Sequence, residues 1–126
     1  SRRVVVSVEP RHSYDGMPLT EWIQRVPNEL SRDAVGLWQI IPALRASFGL
    51  DDQDLEDAVS ATIQGLLERG AVPVRCGPKD GPEWLIDDAY GQDWNEVKAK
   101  VIADWVRRDV EPDVGDVWFA IISDQH

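Results

Sequence analysis

Apolar residues recur at helical spacing in four stretches of the chain. Leu19, Trp22, Ile23 and Val26 stand at i, i+3, i+4 and i+7, one face of a short helix that Pro27 stops. Ser31 then reads as an N-cap, with Asp33 in the first turn, for a second helix whose apolar face is Leu37, Trp38, Ile41, Leu44 and Phe48. Pro42 falls inside that face and predicts a kink or two abutting helices, and Gly49 is a left-handed terminator. The third helix has the fullest set of signals. Leu50 and Leu55 flank the Asp51 cap as a hydrophobic staple, Leu55, Val59, Ile63, Leu66 and Leu67 continue the face, and Gly70 ends it. Asp93 and Glu96 form a capping box for a fourth helix, with Trp94, Val97, Val101, Ile102, Trp105 and Val106 as its face.

The remaining apolar runs are short and rich in β-branched and aromatic residues. Residues 72–76 read as a strand, with Pro73 implying an edge or a strand start. Gly77-Pro78-Lys79-Asp80-Gly81-Pro82 is dense in turn formers, and the chain returns through residues 83–87, making a β-hairpin with a long tip. The six apolar residues 117–122 read as a buried strand, and residues 4–8 as one more possible strand. The pattern predicts an α+β fold, with about four helices packed on a small, mostly antiparallel sheet. Residues 17–126 form the domain, and residues 1–16 an appended N-terminal arm.

Composition narrows the picture. At 126 residues and 43% hydrophobic content the chain is a single globular domain able to bury a core without disulfides or metals. Thirteen basic residues against 23 acidic give a net charge of −10, and residues 33–126 hold the whole excess. That charge disfavours nucleic acid and anionic membranes as partners, because phosphate binding draws on Lys and Arg. No run reaches the length of a spanning helix, and a single Cys rules out an internal disulfide, so the cytoplasm is the expected compartment.

Catalytic and metal motifs are absent from the sequence. His12 and His126 have no spaced partners, so neither a metal nor a cofactor is expected, and no catalytic residue is assigned. Cys76 reads as a small buried hydrophobe and the tip glycines as turn geometry rather than a phosphate cradle. The order helix, Gly70, strand, turn, strand is wing-like, but the helix carries Asp51, Asp52, Asp54, Glu56, Asp57 and Glu68 against Arg69, a face that repels DNA. The six Trp are expected mostly in the core, with one or two as interface anchors.

Three acidic groups remain: Asp51, Asp52, Asp54, Glu56 and Asp57; Asp87, Asp88 and Asp93 around Tyr90; and Asp109, Glu111, Asp113 and Asp116. Helix capping explains two or three acids in the first group, not five within seven positions. A negative face that steers a basic protein partner is the sharper reading, with Asp51, Asp52, Asp54, Glu56, Asp57, Asp87, Asp88, Tyr90 and Asp93 as candidate contacts.

Gly36-Leu37-Trp38-Gln39-Ile40-Ile41-Pro42, Phe48-Gly49-Leu50, Leu66-Leu67-Glu68-Arg69-Gly70-Ala71-Val72-Pro73-Val74, Tyr90-Gly91 and Gly115-Asp116-Val117-Trp118-Phe119 together resemble a family of small acidic bacterial immunity proteins, encoded beside contact-dependent or other polymorphic toxins. The resemblance runs from about Met17 to Ile122 and rests on structural Gly, Pro and Trp positions. It implies a non-catalytic protein that binds and neutralises a cognate toxin domain, and it transfers no functional residue. With the charge, it suggests a basic nuclease whose cleft the acidic face would cover. An acidic adaptor or subunit-interaction domain, marked by an apolar surface patch or self-association, is the first alternative. A small enzyme with a cleft between helices and sheet is the second. Oligomeric state is left open.

Overall fold

A computed structural model of the chain describes residues 10–91, 93–108, 111–112 and 116–122. The expected strand at 4–8 lies outside them. Among the described residues the fold is α+β, with four α-helices and a four-stranded antiparallel sheet. The helices are α1 (Leu19–Arg25), α2 (Leu37–Pro42), α3 (Asp52–Glu68) and α4 (Trp94–Val101). The strands are β1 (Val35–Gly36), β2 (Val72–Cys76), β3 (Trp84–Ile86) and β4 (Trp118–Ala120), in the order β1-β4-β2-β3.

Residues 10–18 form a turn closed by bonds from His12 N to Met17 O and from Leu19 N to Pro10 O. It is tied to the domain by Ser13 N donating to Ser47 O (2.8 Å) and by the His12 ring lying edge-on to Phe48. Pro27 ends α1 as expected, but the chain continues as a 3₁₀ turn, Val26–Ser31. Ser31 therefore caps nothing; its hydroxyl donates to Asn28 O at 3.0 Å, and the Asp33 carboxylate accepts from Ala34 N. The cap of α2 is Gly36, whose N–H donates to Gln39 Oε1 at 2.8 Å. Val35 and Gly36 are drawn into the sheet instead, opposite Phe119 and Trp118.

Pro42 acts through the donor it lacks. The helix widens after it into a π turn, Ala43–Ser47, with Phe48 N bonded to Ala43 O. A second π turn, Ile102–Val106, extends α4. The Arg45 guanidinium bridges the two turns, reaching the carbonyls of Trp105 (3.3 Å) and Val106 (3.5 Å) and pairing with Glu111 at 3.0 Å. Cations suit such free carbonyls at a helix C-terminus.

The amphipathic α3 is the centre of the core and packs against α1, α2 and α4. Its stripe Leu55, Val59, Ile63, Leu66 and Leu67 is buried, as is the staple residue Leu50. Gly65 leaves room for Pro27, whose Cγ would stand 3.2 Å from an added Cβ. Gly49 and Gly70 both adopt positive φ and end their helices as expected. The capping box of α4 forms, with Asp93 accepting from Asn95 N and donating its own N–H to Glu96.

Residues directly opposed across antiparallel strands share a face. Phe119, Val35 and Pro73 therefore face one way, and Phe119 and Val35 join the helical core. Gly36, Trp118, Ala120, Val72, Val74, Cys76, Trp84 and Ile86 face the other. Pro73 lies beside the start of β2, the second of its two expected positions, and that strand is central rather than an edge. The β2–β3 register begins one residue later, at Val74, so the donor that Pro73 lacks interrupts no pair of that ladder.

Candidate functional site

The acidic head of α3 is the first candidate surface. Asp51, Asp52, Asp54 and Asp57 are exposed and Glu56 is half-buried. Asp51 occupies the N-cap, yet its side chain makes no capping bond, so capping does not account for it. Asp52 is the one non-glycine residue at positive φ (48°) among the described residues. That left-handed conformation costs an L-residue on the order of 1–2 kcal/mol, less for Asp than for most.

The five acids do not act alike. Glu56 is claimed by Arg107, whose Nε and Nη2 reach its two oxygens at 3.1 and 3.2 Å. That hydrogen bond and charge hold the Arg107 guanidinium above its ordinary pKa. Asp57 accepts from Gln53 at 2.8 Å. Asp51, Asp52 and Asp54 make no ion pair among the described residues. The group also splits between two flanks of the helix. Asp51, Asp52 and Glu56 line a cleft of about 730 Å³ that contains Arg45 and Arg107. Asp54 and Asp57 line another, of about 420 Å³, beside Leu19 and Ile23.

The second acidic group is built around a buried phenol. Tyr90 is only 8% exposed, and its hydroxyl accepts a hydrogen bond from Trp105 Nε1 at 3.0 Å. Burial raises its pKa; the indole bond opposes this, and the charges of Asp87, Asp104 and Asp116 add to it. Tyr90 is thus buried, leaving little of its ring for the partner contact expected of it. Asp87 folds back to cap the short 3₁₀ turn Asp88–Tyr90. Asp88 and Asp93 are exposed. In the third group, Asp109 and Asp113 lie outside the described residues, and Glu111 is held by Arg45.

The tryptophans depart furthest from expectation. No described Trp reaches full burial, and Trp38 and Trp94 are 37% and 45% exposed. Trp94 opens α4, one turn ahead of the buried Val97. Trp38, Trp118 and Trp84 form a row on the outer face of the sheet. The ring centroids of Trp38 and Trp118 are 6.3 Å apart at 66°, and those of Trp118 and Trp84 are 5.3 Å apart at 43°. Val74 and Ala120 share this face and are buried, yet stand apart from the helical core. Cys76 shares this face and is exposed, contrary to the expected buried thiol. Ile86, 54% exposed, extends this apolar face, and Ile121 (48%) and Ile122 (40%) are exposed just after β4. The signal was present in the alternation: Trp84 and Ile86, and Val72, Val74 and Cys76, make the second face of the sheet apolar too.

A further cleft, of about 450 Å³, is lined by Asp15, Arg25, Glu29 and Asp33 with Trp22, Val26 and Ile40. Among the described residues no group of three His, Cys, Asp or Glu is placed to hold a metal ion, and no helix is long and apolar enough to cross a membrane. Comparison with family profiles, with characterised proteins and with solved structures finds no match to this chain.

Proposed function

We propose that this chain is a non-catalytic immunity protein. It acts in the cytoplasm, binds the basic toxin domain encoded beside it, a nuclease, and covers the substrate cleft with carboxylates in place of phosphates. The observation that carries this reading is the head of α3. Asp52 is kept in a strained left-handed conformation between Asp51 and Asp54, and none of the three has an ionic partner among the described residues. Backbone strain that persists without improving the cap is most often retained for what it displays. The net charge of −10 adds a long-range field that steers a cationic partner.

The test is kinetic. In the variant Asp51→Lys, Asp52→Lys, Asp54→Lys, association with the purified product of the neighbouring gene slows by about ten-fold or more and loses most of its salt dependence. An unchanged rate and salt slope refute the assignment of this face.

A second reading, a subunit-interaction domain without a toxin partner, draws support from the apolar outer face of the sheet. A stable complex with a neutral or acidic protein, unaffected by the three reversals, favours it.

A further inference from the structure

The sheet ends in an edge that the first surface does not involve. Gly77 N donates to Glu83 O (2.8 Å) and Asp87 N to Pro73 O (2.9 Å), so Glu83 and Asp87 turn their backbone toward β2. Alternation gives Leu85 the same direction and points the N–H and C=O groups of Trp84 and Ile86 out of the sheet. Among the described residues β3 is the terminal strand in the order and no other backbone group bonds to these, so they form its open side. Natural edges are commonly blunted by Lys, by Pro or by an inward charge within the strand. The three residues of β3 are Trp, Leu and Ile, and Ile86 is more than half exposed.

Charge selects the occupant. Between Arg75 and Lys98 the chain carries six acids (Asp80, Glu83, Asp87, Asp88, Asp93 and Glu96) against the single base Lys79. Two copies of a −10 chain would bring these acids together across the edge, whereas a cationic segment would neutralise them. We infer that the open edge of β3, beside the indole row of Trp84 and Trp118 and flanked by Glu83 and Asp87, receives an extended segment of a cationic protein as a fifth strand. Backbone hydrogen bonds to Trp84 and Ile86 give the affinity. Alternate apolar side chains of the segment continue the outer face, and its Lys or Arg residues meet the flanking carboxylates. This surface does not rest on the immunity reading: a cationic segment of any partner would fit it.

The probe is a synthetic Lys-Val-Lys-Val-Lys-Val-Lys peptide, followed by tryptophan fluorescence. Binding with an emission shift is expected, with none for the Glu-Val counterpart or for a peptide N-methylated at alternate amides. Ile86→Pro, which removes an outward N–H, weakens binding at least ten-fold with the thermal midpoint retained; Ile86→Lys weakens it similarly and covers the case in which the proline variant misfolds. At an ionic strength that screens the long-range field, the triple reversal at Asp51, Asp52 and Asp54 leaves peptide binding unchanged, so the two surfaces fail separately. Absent binding at millimolar peptide, equal binding of the N-methylated form, loss of binding on the triple reversal, or a dimer of the chain alone that Ile86→Lys dissolves each overturns the inference.

Discussion

Gly36→Ala probes the packing on which the outer sheet face depends. Gly36 is extended (φ −88°, ψ 144°), so alanine fits its backbone and any cost is steric. An added Cβ would lie 2.5 Å from Trp38 Cδ1, 2.7 Å from Trp38 Nε1 and 3.1 Å from Trp118 Cδ2. The indole of Trp38 must swing outward, which breaks its edge contact with Trp118. Loss of that contact costs about 0.5–1.5 kcal/mol, and residual overpacking about 1–2 kcal/mol more. Stiffening of the unfolded chain returns about 0.4–1 kcal/mol. The net loss is about 0.5–3 kcal/mol. At about 4 °C per kcal/mol for a domain of this size, the melting midpoint falls by about 2–12 °C, and emission shifts toward that of solvated indole. The decisive assay is the double-mutant cycle with Trp38→Ala: in that background Gly36→Ala costs less than half as much. Equal cost in both backgrounds refutes the close approach as the cause.

Three other perturbations test separate parts of the account. Asp52→Gly relieves the left-handed backbone at φ 48° and raises unfolding free energy by about 1 kcal/mol in denaturant titration, and no gain means the conformation stores no strain. Gly77→Ala drives a Cβ to 1.8 Å from the Pro82 carbonyl oxygen, so the hairpin opens and stability falls by about 2 kcal/mol or more; an unchanged thermal midpoint contradicts it. Tyr90→Phe leaves the Trp105 indole N–H without its acceptor and costs about 1–2 kcal/mol in thermal unfolding. Because the folded Tyr90 holds its proton above the ordinary value, its contribution is complete below pH of about 10 and is lost as pH climbs toward the raised folded pKa. The wild-type advantage over Tyr90→Phe therefore narrows only in that alkaline window, and narrowing at neutral pH sinks the argument.

Local signals carried most of the fold. α3 was legible because its stripe has a single period and Gly70 punctuates its end, and the hairpin because residues 77–82 admit little but a turn. β1 was not, since two residues cannot display an alternation and it is their pairing with Phe119 and Trp118 that makes them a strand. The same pairing moved the start of α2 from Ser31 to Gly36. Trp38 was misplaced because it adjoins the apolar stripe of α2, while the inward positions are Leu37, Ile40, Ile41 and Leu44. Periodicity marks a residue as apolar on one side of an element, not which side of a sheet lies bare. For the same reason Cys76 reads as buried until Trp84 is seen opposite it. The acidic candidates were visible as charge, but their division was not. Arg107 and Arg45 come from distant positions to claim Glu56 and Glu111, and only the tertiary fold leaves Asp51, Asp52 and Asp54 exposed.

In the proposed function this chain protects a cell by masking a cationic enzyme with the head of α3. Growth of bacteria expressing the neighbouring gene product, with and without this chain, tests it most directly. The wild type is expected to rescue growth, the Asp51→Lys, Asp52→Lys, Asp54→Lys variant to lose rescue at equal abundance, and nucleic acid to stay intact only where rescue occurs. Full rescue by that variant, or no rescue by the wild type, contradicts it.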